Sequence, residues 1–203
     1  MLDLTEYGPI TLPRRDAFRH TYSDYFSWDD EKRYELIDGI AYVKEPLAPN
    51  RFHQELVGEL HYQVKMALEE QPWRTYVAPF DVRLPKAGEA DDLVDTVVQP
   101  DVLIVRALSK LDGRGMRGAP DWIAEVLSPT TSRHDRFVKI PVYERVGVLE
   151  VWLIHPIERT LTVYRLENGH YGRPIVLELK GRTTIGALPG VSIDWDRILP
   201  MLE

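Results

Sequence analysis

The stretch Trp122-Ile123-Ala124-Glu125-Val126-Leu127 places one acidic residue in the middle of an apolar run. A similar run, Gln99-Pro100-Asp101-Val102-Leu103-Ile104-Val105, begins with an aspartate that follows a proline. Both runs are short and nearly continuously apolar, which is typical of strands covered on both faces. Because a charge in a buried strand is costly unless it is paired or binds a metal, Asp101 and Glu125 are candidate site residues.

A lysine on the following predicted helix, Lys139, completes a candidate catalytic set. If the two strands are neighbours, about 4.8 Å apart, Asp101 and Glu125 can share one divalent ion, with the backbone carbonyl of Val126 as a third ligand. Such an ion can activate water and offset phosphate charge, and a nearby lysine can position the water or stabilise the transition state. The pattern therefore indicates a Mg²⁺ or Mn²⁺ site for phosphodiester cleavage. Asp121 is a rival acid, but it lies about 13 Å from Glu125 along one strand, so we expect it only at the strand's start.

The remaining patterns predict one α/β or α+β domain with a mixed central sheet flanked by helices, an N-terminal hairpin and C-terminal antiparallel strands. Residues 1–30 are expected to form a lead-in with a short helix in 21–28, and residues 31–203 the domain itself. Asp38-Gly39 predicts a tight hairpin turn, as does Asn168-Gly169. Predicted strands are Trp73–Leu84, Thr96–Val105, Asp121–Leu127, Glu150–His155, Thr160–Leu166 and Tyr171–Leu179.

Two helices are predicted. The first runs from about 51 to 70 between an Asn50 cap and Pro72, with an apolar face of Phe52, Leu56, Leu60, Val64 and Ala67. The second runs from Thr130 to Val146, with a capping box of Ser132 and Asp135, a kink at Pro141 and an end at Gly147. The glycine-containing segment Arg106–Pro120 is predicted to be a mobile loop.

Composition limits the classes of function. The 203 residues contain no cysteine, which excludes disulfides, thiolate metal sites and cysteine nucleophiles. No apolar stretch is long enough to span a membrane and residues 1–15 lack a secretory pattern, so a cytoplasmic protein is expected. The formal net charge of −7 means that DNA binding needs a local basic surface. The residue pattern alone favours ordinary solvated surface charges. The candidates for a DNA-binding surface are Lys110, Arg114, Arg117, Arg133 and Arg136.

Several segments, in order, resemble the Uma family of restriction-endonuclease-like proteins, within the PD-(D/E)XK nuclease superfamily. They are Tyr34-Glu35-Leu36-Ile37-Asp38-Gly39, His53, Pro100-Asp101-Val102, Glu125-Val126-Leu127-Ser128-Pro129-Thr130, Asp135 with Lys139 and Tyr143, and Gly147-Val148-Leu149-Glu150-Val151-Trp152-Leu153-Ile154. The resemblance covers about residues 30–195. It implies a restriction-endonuclease-like fold and metal-dependent DNA cleavage, with Asp101 and Glu125 as the metal carboxylates.

The chain departs from the superfamily pattern at two places. One is Pro141, because a kink there would change where Lys139 points. The other is the missing motif lysine. Leu127 stands where a lysine is expected two residues after Glu125, and Lys139 is the proposed substitute. Lys139 can alternatively be a surface lysine paired with Asp135. Glu35 is either a further site acid, as the resemblance implies, or a cross-strand partner of a basic hairpin residue.

Three other residues have two open interpretations each. His53 can approach the site or be a packed histidine, Ser128 can bond a site group or cap a turn, and Tyr143 can line the site or pack in the core. The acidic net charge and the missing motif lysine also leave a second class of function open, a non-catalytic nucleic-acid- or protein-binding module. A homodimer is plausible in either case.

Overall fold

The computed structural model describes residues 12–44, 51–129 and 131–202. It contains a seven-stranded mixed sheet, a six-stranded sheet and a small two-stranded sheet. The helices are α1 Tyr22–Ser27, α2 Arg51–Ala67, α3 Ser132–His134, α4 Ile140–Val146 and α5 Trp195–Ile198. The strands are β1 Arg33–Ile37, β2 Ile40–Lys44, β3 Arg74–Val77, β4 Val82–Arg83, β5 Val97–Val98, β6 Val102–Val105, β7 Leu111–Asp112, β8 Gly115–Arg117, β9 Trp122–Val126, β10 Glu150–His155, β11 Thr160–Glu167, β12 His170–Tyr171, β13 Ile175–Glu178, β14 Arg182–Thr184 and β15 Ser192–Asp194.

The seven-stranded sheet has the order β12-β11-β10-β9-β6-β3, and β13 also pairs with β11. Only β9 and β10 run parallel within it, so the sheet is mixed, as predicted. One face packs against α2 through Leu56, Leu60 and Val64. The other face packs against α4 through Val142 and Tyr143. The predicted fold class, a mixed sheet flanked by helices, is therefore confirmed.

The N-terminal hairpin belongs to the second sheet, whose order is β2-β1-β5-β4-β8-β7. Its turn is built as predicted, because Asp38 and Gly39 both have positive φ, at 49° and 79°. Helix α1 begins with a capping box between Thr21 and Asp24 and packs Tyr22 against this sheet. The predicted lead-in helix is thus present in the described part of residues 1–30.

Two predicted strands are each divided by a proline. The segment Trp73–Leu84 forms β3 and β4, and the segment Thr96–Val105 forms β5 and β6. The breaks fall at Pro79 and Pro100, whose nitrogens have no hydrogen to donate to a sheet ladder. In each case one half joins the seven-stranded sheet and the other half the six-stranded sheet. The prediction of a single continuous strand is wrong at both places.

The predicted mobile loop Arg106–Pro120 is instead an ordered element. It forms a short 3₁₀ turn at Leu108–Lys110 and then the hairpin of β7 and β8, which extends the six-stranded sheet beside β4. The glycines of this segment predicted mobility, but Gly115 instead allows its backbone to pack closely against the backbone of Asp81. Next to it, Met116 donates its N–H to the carbonyl of Asp81 at 2.9 Å.

Helix α2 is shorter than predicted, because it ends at Ala67 rather than near residue 70. Ala67 is exposed and Leu68 takes the buried position in its place, while the proposed Asn50 cap lies outside the described residues. The predicted third C-terminal strand is divided into β12 and β13. The Asn168-Gly169 turn is confirmed, with φ values of 54° and 86°.

The second predicted helix is present but is not uniform. A π-helical turn, Asp135–Lys139, lies between α3 and α4, immediately before Pro141. The predicted capping box is wrong, because Thr131 is the N-cap residue and makes no side-chain cap bond. Asp135, the predicted acid of that box, is instead buried near Lys139. Gly147 ends α4 in the left-handed conformation, as predicted, with φ 86°.

Within the described residues, no helix is long and apolar enough to cross a membrane.

The β8 backbone supplies a first prediction. Gly115 has φ +120°, and an added Cβ would overlap the carbonyl of Asp81, whereas a Cβ at Gly113 would meet open space. We expect Gly115→Ala to lower the free energy of unfolding by about 2 kcal/mol or more, measured by urea denaturation. The matched variant Gly113→Ala should change it by less than about 0.5 kcal/mol. Equal effects of the two variants would contradict the close approach at Gly115.

Candidate functional site

Asp101 and Glu125 lie at one end of two neighbouring antiparallel strands. Strands β6 and β9 pair with Val102 opposite Ala124, so the next residues along, Asp101 and Glu125, come together just beyond this pair. Oδ2 of Asp101 accepts a hydrogen bond from the backbone N–H of Val126 at 2.8 Å. The Asp101 side chain is 15% exposed and that of Glu125 is 3% exposed. The strand pairing thus brings the two carboxylates to a common, mostly enclosed position.

Lys139 brings a fully buried ammonium group to these carboxylates. Its Nζ lies 2.6 Å from Oε1 of Glu125, 3.1 Å from Oε1 of Glu35 and 3.6 Å from Oδ1 of Asp135. The side chain has no exposed area. The π-helical turn ends at this residue and shifts the phase of the helix by about one residue relative to an α-helix. Such turns are frequent at functional sites.

Glu35 reaches the same cluster from the other sheet. Its Oε1 accepts from the backbone N–H of Gln99 at 2.8 Å and from Nζ of Lys44 at 3.3 Å. Lys44 lies on the paired strand of the hairpin, and Lys139 lies on the helix. Both interpretations of Glu35, as a site acid and as a partner of a basic hairpin residue, therefore describe real contacts. Its other oxygen, Oε2, is buried and makes no hydrogen bond with any described residue.

Tyr143 and His53 contact the two carboxylates directly. The hydroxyl of Tyr143, one turn after Lys139, donates to Oε1 of Glu125 at 2.5 Å. Nε2 of His53 lies 3.3 Å from Oδ2 of Asp101, because the first turn of α2 faces the start of β6. Both residues therefore line the site, and of the two interpretations of His53 the structure shows the one that approaches the site.

Asp121 and Ser128, the two other candidates from the sequence, make hydrogen bonds with residues outside the cluster. Asp121 accepts from the backbone N–H and Nε of Arg106, at 2.8 and 2.7 Å, at the start of β9. Ser128 forms a turn with Thr131 through reciprocal side-chain and backbone contacts. Asp121 thus has the strand-start role expected of it, and these contacts of Ser128 belong to a turn.

The cluster carries more negative than positive charge. Its carboxylates are Glu35, Asp101, Glu125 and Asp135, and its ammonium groups are Lys44 and Lys139. With every group ionised, four negative and two positive charges leave an excess of two negative charges. Burial raises the pKa of Glu125 to about 7 even though Lys139 opposes this effect, and the Asp135 and Asp101 charges add to it.

Burial and the charges of the cluster also shift the pKa values of Asp135, Glu35 and Lys139. Burial also raises the pKa of Asp135 against the opposing effect of Lys139. For Glu35 burial acts in the same sense, but the Lys139 and Lys44 charges outweigh it and lower its pKa. Burial alone would neutralise Lys139, but Glu125 and Glu35 overcome it and hold the lysine pKa well above its usual value. Lys139 therefore remains a cation.

The donor set fits a divalent cation in charge and ligand chemistry. The excess of two negative charges and the oxygen ligands match a hard ion that binds few protein groups and keeps several waters. Among the described residues, no group of three or more His, Cys, Asp or Glu side chains is placed to hold a metal ion. A site here would therefore need two carboxylates and a backbone carbonyl, which is the ligand set expected from the sequence.

The basic residues proposed as a DNA surface are largely engaged by the protein itself. Lys110 donates to the carbonyl of Ala119 at 2.7 Å, and Arg117 pairs with Asp91 at 3.2 Å. Arg114 lies 3.8 Å from Asp92 and over the ring of Phe26. Arg136 contacts the ring of His155. Of these groups, Arg114 and Arg117 are paired with carboxylates, whereas Lys110 and Arg136 keep their charge and contact uncharged partners.

Sequence reasoning missed four contributors to the site. Lys44 was detectable, because in the predicted hairpin it lies diagonally across from Glu35 on the same face. For Asp135 the sequence indicated only a cap or a partner of Lys139. His134 and Gln99 carried no signal, because their positions depend on the π-helical turn and on the break at Pro100.

The family model described as "Uma2: Putative restriction endonuclease" matches residues 22–196. The chain belongs to this family. The match contains all the acids of the site together with Lys139, and it confirms the resemblance seen in the sequence.

A solved structure supports the same fold for this Uma2 family member. It is the crystal structure of a putative nuclease belonging to DUF820 from Anabaena variabilis ATCC 29413, with a TM-score of 0.70 and 20% sequence identity. The alignment covers 90% of this chain and 99% of that chain. The comparison with curated proteins gave no match.

His134 supplies a second prediction, for the metal-free protein in EDTA. Burial lowers its pKa to about 4, although Glu35 opposes this, so below about pH 6.5 the unfolded chain takes up a proton that the native state does not. This contribution makes stability fall as pH falls, by about 3 kcal/mol near pH 4.

We expect His134→Gln to remove that contribution, so that its free energy of unfolding, measured by urea denaturation, falls less between neutral and acid pH than that of the parent. The variant His170→Gln, at an exposed position, is the control and should follow the parent. Parallel curves for His134→Gln and the parent would contradict the prediction.

Proposed function

We propose that this Uma2 family member is a divalent-metal-dependent endonuclease that hydrolyses phosphodiester bonds in DNA. The observation that carries the proposal is the convergence of Asp101 and Glu125 from adjacent strands with the buried ammonium of Lys139. The family and the structural neighbour are both described as nucleases, which supports the same class of reaction.

The candidate metal ligands are Asp101, Glu125 and the backbone carbonyl of Val126. His53 and the Val126 N–H both contact Oδ2 of Asp101, while Lys139 and Tyr143 both contact Oε1 of Glu125. The second oxygen of each carboxylate is therefore the candidate ligand atom. Mg²⁺ or Mn²⁺ suits this oxygen set, and when bound it would orient the attacking water, lower its pKa and offset charge on the phosphate.

Lys139 is proposed to stabilise negative charge as the pentavalent transition state forms. Its raised pKa keeps the ammonium protonated at neutral pH, which suits a charge-stabilising group better than a proton acceptor. Glu35 and Tyr143 are proposed as positioning residues. Glu35 holds the ammonium from one side, and Tyr143 holds the Glu125 carboxylate that also contacts it. Under this proposal no lysine is needed at position 127, because Lys139 supplies the ammonium group beside Glu125 from the helix.

A binding module without catalysis is the second candidate. The observation that favours it is the ammonium of Lys139 itself, which already neutralises part of the carboxylate charge without a metal. The two candidates differ in metal binding, because only the enzyme needs a divalent ion at Asp101 and Glu125. Three further proposals accompany either function. They are that residues 1–30 form a lead-in to the domain, that the protein is a homodimer, and that it is cytoplasmic.

DNA cleavage is the direct test. We expect the parent protein to cut plasmid or single-stranded DNA with Mg²⁺ or Mn²⁺ and not with EDTA. Asp101→Asn should lower the rate at least about a hundredfold, because it removes a ligand charge with little change in shape. The control Asp121→Asn changes the rival acid, which lies outside the cluster, and should retain activity if thermal melting shows that it is folded.

Two outcomes would count against the enzyme. Cleavage that survives Asp101→Asn, or that Asp121→Asn abolishes in a folded protein, would place the site elsewhere. A parent protein that binds DNA without cutting it, and whose melting temperature does not respond to Mn²⁺, would favour the binding module.

Lys139→Met separates the lysine from the metal. In EDTA the variant should lose about 3 kcal/mol or more of stability, because it leaves three buried carboxylates without their shared cation. Saturating Mn²⁺ should raise its melting temperature more than that of the parent, while cleavage stays lost. Denaturation with and without Mn²⁺ measures the first effect, and an equal Mn²⁺ response in both proteins would show that the lysine does not share the carboxylates with the ion.

A further inference from the structure

Two neighbouring cavities share a wall, and Gln99 in that wall bonds to Glu35 of the carboxylate cluster. The smaller, about 220 Å³, is lined by Tyr25, Phe26, Trp28 and Tyr34, among others. The larger, about 470 Å³, is lined by residues that include Phe80, Asp81 and Arg114. Tyr25 and Gln99 line both. We call the two cavities together the aromatic groove.

Backbone bonds connect the groove to the proposed catalytic residues. Gln99, in the shared wall, donates its N–H to Glu35 at 2.8 Å and is two residues before Asp101. Ala78, next to the Pro79 and Phe80 that line the larger cavity, donates its N–H to the carbonyl of Asp101 at 3.2 Å. The walls of the groove are therefore linked to Glu35 and Asp101 by single backbone hydrogen bonds.

The shared wall of the groove is fixed by its own hydrogen bonds. Gln99 Nε2 donates to the Tyr25 hydroxyl at 3.1 Å and to Asp81 at 2.8 Å, and the hydroxyl donates to Asp81 at 2.9 Å. Arg33 donates to the amide oxygen of Gln99 at 2.9 Å. The wall is thus rigid before any ligand binds, which lowers the entropy cost of binding.

Two rings of the groove, Phe26 and Phe80, have surface open for stacking, although Arg114 covers one face of Phe26 and Tyr76 one face of Phe80. Phe26 is 59% exposed although it is a large apolar side chain. Phe80 stacks on Tyr76 with centroids 4.2 Å apart and an interplanar angle of 7°, so one face of Phe80 is supported from behind. Arg114 lies 4.7 Å above the ring of Phe26, with its side chain 48% exposed. Aromatic faces with arginine beside them are the usual surface for unpaired nucleobases.

Charge at the groove suits a nucleic-acid strand better than a general apolar partner. Arg33, Lys32 and Arg114 line it and can contact phosphates. The carboxylates among its lining residues are held by the protein, since Asp30 pairs with Arg15, Asp112 pairs with Arg83 at 2.6 Å, and Asp81 accepts hydrogen bonds from Tyr25 and Gln99. For an acidic protein, base stacking supplies binding energy without net positive charge.

We propose that the aromatic groove binds the unpaired nucleobases of single-stranded DNA next to the phosphate presented to Asp101 and Glu125. The inference rests on the proposed nuclease function and specifies its substrate, a single strand or the single-stranded part of a duplex. Stacking is tolerant of sequence, so the groove selects unpaired DNA rather than a base sequence.

Fluorescence anisotropy tests the groove without cleavage. The labelled probes are a short oligothymidylate and an abasic oligomer of the same length, in EDTA, which have the same backbone charge but differ in bases. We expect the oligothymidylate to bind at least about tenfold more tightly than the abasic strand, as base–aromatic stacking predicts. Equal affinities for the two strands, or no binding of either, would overturn the proposal.

Phe26→Ala locates the effect. The side chain is largely exposed, so its loss should not impair folding, and we expect it to weaken oligothymidylate binding about tenfold while leaving the abasic strand unchanged. Phe18→Ala is the matched control, because Phe18 is 75% exposed and is not among the residues that line either cavity. Equal effects of the two variants would show that the groove is not the site of stacking.

The same proteins separate this inference from the proposed nuclease. If the parent protein cuts DNA but binds both probes equally, the groove proposal fails and the nuclease stands. If it prefers the oligothymidylate but never cuts with Mg²⁺ or Mn²⁺, the groove proposal holds for binding and the catalytic assignment fails. A preference for cutting single-stranded over blunt duplex DNA that Phe26→Ala reduces would support both.

Discussion

The buried ammonium of Lys139 is the interaction on which the site depends. Taking an ion out of water costs several kcal/mol, and only close opposite charges can offset that cost. Glu35, Glu125 and Asp135 supply them from a hairpin, a central strand and the lysine's own helix. The same ammonium therefore ties three elements together, and it is the cation that these three buried carboxylates share.

The site lies at the junction between the two large sheets. Asp101 and Glu125 come from the seven-stranded sheet, whereas Glu35 and Lys44 come from the six-stranded sheet. The junction is made by Pro79 and Pro100, which divide two paired segments at the same level. On one side β3 pairs with β6, and on the other side β4 pairs with β5. Because Pro79 and Pro100 have no N–H to donate, the chain leaves one sheet and enters the other at each of them. Gln99 and Asp101, on either side of Pro100, therefore lie at the junction of the two sheets.

Local patterns in the sequence predicted the elements well where local physics decides them. Asp38-Gly39 and Asn168-Gly169 require positive φ, and Gly147 ends a helix for the same reason, so these features followed from residue type. The continuously apolar runs around Asp101 and Glu125 likewise predicted buried strands. The sequence pattern could not reveal that the chain passes from one sheet to the other at Pro79 and Pro100. A proline at a break between two strands and a proline in an edge strand give the same sequence pattern. The hairpin within Arg106–Pro120 was missed because Gly115 allows a close approach to the backbone of Asp81, which is remote in sequence.

Lys139 lies beside Glu125 although Leu127 stands where the superfamily pattern has its lysine. A lysine two residues after Glu125 would project from the same face of β9 as Glu125, since side chains alternate along a strand. Leu127 fills that position and packs in the core beneath α4. Lys139 reaches Glu125 from the opposite direction, and its approach depends on the extra residue of the π-helical turn before Pro141. Asp135 and Lys139 are four residues apart, a spacing that keeps both on one side of the helix, so both side chains reach the carboxylate cluster. The ammonium that contacts Glu35 and Glu125 is therefore supplied by the helix rather than by the strand that carries Glu125.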